Sequence, residues 1–460
     1  KQARLYISSL GIYEFKMNGQ RITGACFTPG WTSYHHRLQY QTYEIEMTEG
    51  VHMLEAMLGD GWYKGPYGLK AKLPRHGEEY AFIGELHLFF RDGEERITGT
   101  DKSWAVRKGK VLFDSIYDGE IYDERGQGET DYPVKEAGLS TGRLTPRLSP
   151  PLVIQARIRP AALLHTPAGE TVLDMGQNMV GWMEFSVNQP AGIAVRLQFG
   201  EILQNGNFYR DNMRTAKCEY TYISDGKPGT ARSHFTFYGF RYVKVEGFIG
   251  TVSPEDFTGC VISSAMEETG MLQTSSPMVN RLLSNIKWGQ RGNFLDVPTD
   301  CPQRDERLGW TGDAQVFVRT ACLNYDTEKF FTKWLADLAS DQGEDGYVGH
   351  VIPDLLKTQP ASAAWGDAAV ICPWAVYLAY GNTEILSRQF ESMRKWVDYI
   401  TAHTTTEYLW TGGVHYGDWL GLDAPTGSYK GSSREDFIAS AFYAHSASLV
   451  IKAGLVLGKD

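Results

Sequence analysis

The densest group of chemically capable side chains lies in fourteen residues, Asp300-Cys-Pro-Gln-Arg-Asp-Glu-Arg-Leu-Gly-Trp-Thr-Gly-Asp313. The segment contains three aspartates, one glutamate, two arginines and a tryptophan. Carboxylates this close in sequence repel one another, which raises the pKa of at least one of them unless arginines or a polar ligand compensate. A carboxyl group that keeps its proton near neutral pH can act as a general acid. The segment therefore predicts a site that cleaves sugars by acid catalysis.

Glu306 is the candidate proton donor within this segment. It lies between Arg304 and Arg307, away from any predicted helix start, and Trp310 follows closely enough to desolvate it. Asp313, in contrast, falls in the first turn of a predicted helix, where an acid interacts favourably with the helix dipole. Any single acid is more often a helix cap or a solvated charge. Because no predicted helix start accounts for Glu306, it is the stronger candidate for the proton donor.

Two further clusters combine a tryptophan, a glycine and an aspartate, namely Ala364-Trp-Gly-Asp367 and Tyr416-Gly-Asp-Trp419. A pyranose offers an apolar face that stacks on a ring and hydroxyl groups that donate to a carboxylate. Both clusters fall in predicted loops of the same helical region as the acid-rich segment. They add four candidate sugar-binding residues, Trp365, Asp367, Asp418 and Trp419.

Other classes of site find less support in the sequence. The chain has neither a Gly-x-Ser-x-Gly nucleophile elbow nor a Gly-x-x-x-x-Gly-Lys phosphate loop. The spacing of the four acids does not match an EF-hand, and Arg304 and Arg307 would oppose a cation. We therefore predict no metal and no cofactor. A non-catalytic carbohydrate-binding protein remains an alternative, for which Glu306→Gln should leave the sugar affinity largely intact.

Composition limits the partners further. A chain of 460 residues suggests about three domains at roughly 150 residues each. Its 45 basic and 55 acidic side chains give a net charge of -10 without a charged run, which argues against a nucleic-acid surface. The six cysteines lack Cys-x-x-Cys spacing and are expected to be reduced, and we predict no membrane span. Compartment and oligomeric state stay open, with the cytoplasm preferred over the periplasm or secretion and a homodimer considered.

Alternating apolar residues and frequent turns predict two all-β sandwich domains in the first part of the chain. The first is expected over residues 1–140 and the second over 161–266. Several prolines crowd the segment between them, so 141–160 is predicted to be a linker.

Near residue 275 the hydrophobic period changes from two to 3.6. Ser276-Pro277 has the residue types of an N-cap and a first helical position. Six helices are predicted over 267–460. The first begins at Ser276-Pro277 with an apolar stripe of Val279, Leu282, Leu283 and Ile286, and the others lie at about 312–323, 328–340, 367–380, 384–402 and 434–456. The loops 341–366 and 403–433 are longer than about 15 residues, a length that is usually functional.

The acid-rich segment resembles the signature of bacterial α-L-rhamnosidases of glycoside hydrolase family 78. The resemblance extends to Gly11-Ile-Tyr-Glu-Phe-Lys-Met-Asn-Gly19, Asp174-Met-Gly-Gln-Asn-Met-Val-Gly-Trp182 and Asn207-Phe-Tyr-Arg-Asp-Asn-Met-Arg-Thr-Ala-Lys217. It implies an (α/α)6 toroid as catalytic domain and inverting hydrolysis of terminal α-L-rhamnose from glycosides or oligosaccharides. It further implies Glu306 as the general acid and a rhamnose pocket formed by Asp300, Arg304, Trp310, Asp313, Trp365 and Trp419, with Asp367 and Asp418 beside it.

The chain departs from the family pattern in its helical half. An (α/α)6 toroid has twelve helices, of which the sequence predicts six. In addition, no segment after Trp419 resembles the one that carries the glutamate acting as the family's general base. An inverting enzyme needs that second carboxylate about 6.5–9.5 Å from the acid. We therefore expect the general base to lie outside these residues, in a longer enzyme of which this chain is a fragment or in another chain. The first is preferred because Lys1 already falls inside a domain.

Overall fold

The structure is a computed structural model that describes residues 2–66, 68–69, 76–128, 130–357 and 360–459. Strands predominate up to Ser264, and helices predominate from Pro277 onward. This order confirms the prediction of β-rich domains followed by a helical domain.

The strands of the N-terminal part are β1 Gln2–Leu10, β2 Ile12–Met17, β3 Gln20–Arg21, β4 Leu38–Glu46, β5 Leu54–Gly59, β6 Ala81–Phe89, β7 Glu95–Gly99, β8 Ala105–Val106, β9 Val111–Ser115, β10 Gly119–Asp123, β11 Tyr132–Pro133 and β12 Leu144–Pro146. One turn of helix, α1 Gly61–Lys64, follows β5. A five-stranded sheet in the order β12-β4-β1-β6-β7 and a three-stranded sheet in the order β3-β2-β5 form this domain. Alternate residues of β1, including Leu5 and Ile7, are buried in one cluster with Tyr13 and Phe15 of β2, as expected when one face of each sheet is buried.

The strands of the central part are β13 Leu152–Ile158, β14 Ala162–His165, β15 Thr171–Val187, β16 Ala194–Gly200, β17 Ile202–Gln204, β18 Asn207–Tyr209, β19 Glu219–Ile223, β20 Gly229–Arg232, β21 Tyr238–Glu246 and β22 Phe257–Ser264. Most of them join a ten-stranded sheet in the order β13-β22-β15-β21-β16-β19-β10-β9, with β14 and β20 paired to β15. The long strand β15 thus pairs with four others and organises the domain.

The strand pairing crosses two of the predicted domain boundaries. Strands β9 and β10 fall within residues 1–140 but extend the central sheet, where β10 runs parallel to β19. The predicted linker 141–160 contains β12, which pairs with β4, and β13, which pairs with β22. The prolines mark turns between these strands, and a local alternation of apolar residues does not specify which sheet a strand joins.

The helical part contains a short hairpin, β23 Phe294–Leu295 and β24 Val297–Pro298, and six longer helices, α2 Pro277–Asn293, α3 Thr311–Asn324, α4 Glu328–Asp341, α5 Ala368–Tyr380, α6 Thr383–His403 and α7 Glu435–Leu457. Each of the six overlaps a predicted helix, and α2, α4 and α6 have a clear apolar face. The hydroxyl of Ser276 accepts a hydrogen bond from the Val279 amide (3.4 Å) and caps α2 ahead of Pro277. Helix α5 packs between α3, α4, α6 and α7.

Two further expectations from the sequence concern the state of the cysteines and the presence of a membrane span. None of the six cysteines forms a disulfide, and five of them are buried. Within the described residues, α7 is long and apolar enough to cross a membrane by length and composition alone. That measure is weak evidence, because the core helix of a soluble protein passes it too.

A buried ionic group joins the N-terminal domain to the helical domain. Lys333 of α4 lies fully buried, with its ammonium 3.2 Å from the Asp337 carboxylate and 4.0 Å from that of Asp296. Arg37 donates to Asp337 (3.0 Å), and the Trp31 amide donates to Asp296. Asp296 lies between β23 and β24, just before the acid-rich segment, so this group fixes where that segment begins.

Candidate active site

The acid-rich segment connects β24 to α3 and is largely buried although it is a loop. A buried loop must satisfy its own backbone polar groups. The Asp300 amide donates to the Leu308 carbonyl (3.1 Å), and the Ile352 amide donates to the Gly309 carbonyl (2.8 Å). The hydroxyl of Tyr117 donates to the carbonyl of Glu306 (2.6 Å). The loop is therefore held by β residues as well as by the helical domain.

Arg307 stabilises the backbone of the acid-rich segment. It is 1% exposed, has a φ of 46° and spreads its guanidinium over backbone carbonyls, including those of Ile116 (2.7 Å) and Gln303 (2.7 Å). The rings of Tyr117 and Phe237 lie 4.8 and 5.3 Å from its guanidinium carbon, at cation–π distance. Arg307 therefore supports the loop backbone, and only Arg304 of the two flanking arginines turns towards the acid.

Glu306 is 8% exposed, and both of its carboxylate oxygens have donors. Nε1 of Trp310 donates to Oε1 (3.1 Å). Nε of Arg304 and Nη1 of Arg214 both donate to Oε2, over 3.0 and 2.9 Å. These contacts fix the carboxyl group at the edge of the loop, in one orientation, as a proton donor requires.

Asp300 is the second carboxyl group of the site. Its Oδ1 accepts from the Leu308 amide (3.0 Å) and its Oδ2 from Nη2 of Arg304 (3.2 Å), so Arg304 bridges Asp300 and Glu306. Burial and, to a smaller extent, the negative charge of Glu306 raise the pKa of Asp300 to about 6. The carboxyl repulsion expected from the sequence thus contributes to the raised pKa of Asp300.

This raised pKa predicts a pH dependence of stability. Asp300 binds its proton more tightly in the folded chain, so its contribution to stability is complete below about pH 4 and is lost as the pH rises through about 6. The difference corresponds to roughly 3 kcal/mol. Asp300→Asn stays neutral, so its free energy of unfolding should rise relative to the unchanged protein between pH 4 and pH 7. Urea denaturation across this range measures the effect, and parallel curves for the two proteins would contradict it.

A series of rings, named here the ring wall, lies beside the acid-rich segment. The ring centroid of Trp365 lies 4.3 Å from that of Tyr416, which lies 5.4 Å from Trp419. The hydroxyl of Tyr416 is hydrogen-bonded to Nδ1 of His350 (3.1 Å). Burial lowers the pKa of His350 to about 4, so its ring is neutral near pH 7. Trp419 is 42% exposed, so it offers a ring surface to a ligand.

The wall and the acid-rich loop are in direct contact. An added Cβ on Gly312 would lie 2.5 Å from the ring of Trp365, so only glycine lets that ring pack against the start of α3. The Thr311 amide donates to the carbonyl of His350 (2.9 Å), which ties the loop to the residue that holds Tyr416. The structure therefore brings Asp300, Arg304, Glu306, Trp310, Trp365 and Trp419 into one region.

The remaining three sequence candidates are placed differently. Asp367, which remains a prediction as a sugar ligand, is fully buried and accepts from Nε1 of Trp396 (2.9 Å), the Ala364 amide (2.7 Å) and the hydroxyl of Ser446. Asp313 is exposed in the first turn of α3, one residue after the glycine that contacts Trp365. Asp418 accepts through its carbonyl from the amides of its own loop. Asp313 and Asp418 remain predictions as ligands.

One group in the described part of the chain has metal-ligand spacing, with atoms of Asp300, Cys301 and Glu306 within 4.8 Å of one another. Burial raises the pKa of Cys301 well above its ordinary value, so the thiol keeps its proton. The guanidinium of Arg304 already pairs with both carboxylates. These residues therefore fit an arginine-bridged acid pair better than a cation.

Sequence reasoning missed three residues of the site. Arg214 and Tyr117 come from the β domains, and nothing local connects them to Glu306. Tyr416 belongs to a quoted cluster, but its role as the link between Trp365 and Trp419 depends on packing. The many polar residues of Asn207–Lys217, which include Arg214, are the sequence feature that could have indicated this contact.

Three family descriptions match consecutive parts of the chain. Residues 1–153 match the α-L-rhamnosidase N-terminal domain, 164–263 the bacterial α-L-rhamnosidase concanavalin-like domain, and 267–460 the bacterial α-L-rhamnosidase six-hairpin glycosidase domain. The chain belongs to the bacterial α-L-rhamnosidase family. The resemblance inferred from the acid-rich segment is therefore confirmed.

Individual members of the family agree with this assignment. An α-L-rhamnosidase of Streptomyces avermitilis is 38% identical over 475 residues, which cover the whole chain and 45% of that relative. The crystal structure of the same organism's enzyme with L-rhamnose has a TM-score of 0.94 at 37% identity, covering 100% of this chain and 45% of the other. The native Aspergillus terreus enzyme has a TM-score of 0.95 at 33% identity, covering 100% and 55%. The chain thus spans about half the length of these relatives.

Proposed function

We propose that the protein acts as an inverting α-L-rhamnosidase and that this chain supplies its proton donor and much of its rhamnose pocket. The observation that carries the proposal is the fixed position of the Glu306 carboxyl group between Trp310 and two arginines, beside a second acid and a wall of rings. The rhamnose-bound relative supports the choice of sugar.

In the proposed reaction Glu306 gives its proton to the glycosidic oxygen as the bond to the anomeric carbon breaks. A water molecule, activated by a second carboxylate about 6.5–9.5 Å away, attacks the opposite face of the sugar. We place that general base outside these residues. Rhamnose is a 6-deoxy sugar, so its methyl group gives Trp365, Tyr416 and Trp419 an apolar surface to contact.

Trp365 offers a specific contact to the sugar. Its ring is 8% exposed, and its Nε1 donor has no hydrogen-bond partner among the described residues. A buried donor without an acceptor costs about 1–3 kcal/mol. Nε1 is closed off from solvent beside Gly312, so we propose that the ring shifts when the sugar binds and that a sugar hydroxyl then recovers this cost.

Trp365→Phe keeps a ring and removes this donor. We expect the affinity for L-rhamnose to fall by about tenfold, which corresponds to about 1.4 kcal/mol. Isothermal titration calorimetry measures it, with Trp288→Phe on α2 as a control that leaves the affinity unchanged. Equal affinities of all three proteins would show that Nε1 does not contact the sugar.

The proposed activity is tested with the longest reading frame that includes this sequence. We expect it to release L-rhamnose from p-nitrophenyl α-L-rhamnoside and from a rhamnosyl disaccharide, and the 460-residue chain alone to release negligible amounts. Binding of L-rhamnose without any hydrolysis by the longer protein would favour the non-catalytic alternative.

A further inference from the structure

We propose that Arg214 of the central β domain is a positioning residue for Glu306 and forms the leaving-group side of the site. The inference rests on the proposed function, because it assigns Arg214 a part in the proton transfer from Glu306. It gives a residue of the central β domain a direct part in the chemistry, whereas Tyr117, the other β residue of the site, contacts only the backbone of the acid.

The contact between the two residues is direct. Nη1 of Arg214 donates to Oε2 of Glu306 over 2.9 Å across 92 residues of sequence, and it lies 3.8 Å from Oδ1 of Asp305. Asp305 is 1% exposed and accepts from the hydroxyl of Thr215. Two neighbouring β-domain residues therefore hold two neighbouring residues of the acid-rich loop.

The backbone of Arg214 is held in an uncommon conformation, with φ 58° and ψ -115°. Its amide donates to the carbonyl of Asp211 (3.1 Å) at the end of a 3-10 turn whose Met213 is 1% exposed. The Lys217 amide donates to Oδ1 of Asp118 (3.1 Å). A conformation of this kind persists only where its surroundings over-determine it, and it is concentrated at functional sites.

The guanidinium of Arg214 uses only part of its hydrogen-bonding capacity within the protein. The side chain is 43% exposed, and within the described residues its hydrogen bonding is confined to Nη1. Nε and Nη2 have no hydrogen-bond acceptor among the described residues, although Nη1 of the same group is bound to the acid. Because the acid must contact the glycosidic oxygen, donors on its solvent side lie next to the leaving group. They suit a leaving group rich in acceptors, such as a second sugar with its hydroxyl or carboxylate oxygens.

The contact has a consequence for the reaction itself. As the proton passes from Glu306 to the glycosidic oxygen, the electron pair of the breaking bond stays with that oxygen and negative charge grows on the Glu306 carboxylate. A hydrogen bond from arginine strengthens as its acceptor becomes charged. Arg214 therefore stabilises the transition state more than the ground state, most of all for leaving groups that need full protonation.

The test compares two leaving groups in the protein expressed from the longest reading frame. We expect Arg214→Ala to lower kcat on a rhamnosyl disaccharide by about 10- to 100-fold and on p-nitrophenyl α-L-rhamnoside by less than about threefold, since the aryl group leaves with little protonation. Arg214→Lys should recover part of the loss.

Arg196→Ala is the matched control, since Arg196 lies in the same domain with a side chain that is also 43% exposed and pairs with Glu219. It should leave both rates unchanged. Equal losses on the two substrates, or none, would overturn the inference while leaving the proposed function in place. Failure of the unchanged protein to cleave either substrate overturns the proposed function and this inference with it.

Discussion

Glu306→Gln is expected to lower kcat on a rhamnosyl disaccharide by about 10²–10⁴-fold, the range that general acid catalysis supplies. The amide keeps the shape of the side chain and can still accept from Nε1 of Trp310, but it has no acidic proton to give. The affinity of the variant for L-rhamnose should stay within about threefold of the unchanged protein, because the rings and Asp300 are untouched. Steady-state kinetics and calorimetry measure the two quantities.

The control for this prediction is Glu344→Gln, an exposed glutamate in the loop after α4. It should change neither kcat nor affinity. A Glu306→Gln protein that retains the full rate would show that another group donates the proton. Unchanged sugar affinity with no turnover in either protein would instead support the non-catalytic binding alternative.

Lys333→Met is expected to lower the free energy of unfolding by about 3–5 kcal/mol, the usual cost of leaving buried charges without their partner. Methionine fills a similar volume, so the effect comes from the lost charge and from the ammonium's hydrogen bonds to the carbonyls of Trp31 and Asp296. Without the ammonium, the carboxylates of Asp296 and Asp337 remain fully buried, with Arg37 and Arg147 as the cations that still pair with them among the described residues. Urea denaturation at neutral pH measures the loss.

Two comparisons separate charge from packing. Lys102→Met removes an ion pair with Glu136 in which both side chains are 71% exposed, and it should cost less than about 1 kcal/mol. Adding Asp337→Asn to Lys333→Met should recover part of the lost stability by removing one uncompensated charge. Equal destabilisation by the two lysine variants would show that the junction is not held by its charges.

The features that the sequence predicts correctly are those determined within a few residues. Helices α2 to α7 follow from the period of their apolar residues, and the cap of α2 follows from Ser276-Pro277. Glu306, Arg304 and Trp310 lie within seven residues of one another, so their contacts are also local.

The features that the sequence does not predict depend on distant chain segments. Asp367 looks like a sugar ligand beside Trp365, yet it turns inward because Ser446 of α7 and Trp396 of α6 supply its hydrogen bonds. Strands β9 and β10 join the central sheet because β10 pairs with the edge of β19 and β9 pairs with β10. The donor that Arg214 gives to Glu306 comes from 92 residues away, and no local pattern encodes it.

The acid-rich segment is therefore held in place by both the β part and the helical domain. Tyr117 and Arg307 connect its backbone to the β part, whereas Thr311 and Gly312 connect it to the ring wall. A loop fixed from both sides can hold a carboxyl group within the narrow tolerance that proton transfer requires.

The central claim is that Glu306 contacts the glycosidic oxygen of a bound rhamnoside. A crystal structure of the Glu306→Gln protein with an uncleaved rhamnosyl disaccharide tests it most directly. We expect the side-chain amide of residue 306 to lie about 2.6–3.2 Å from the glycosidic oxygen, with the rhamnose ring against Trp365 and Trp419. A rhamnoside bound with its glycosidic oxygen beside another carboxyl group, away from residue 306, would contradict it.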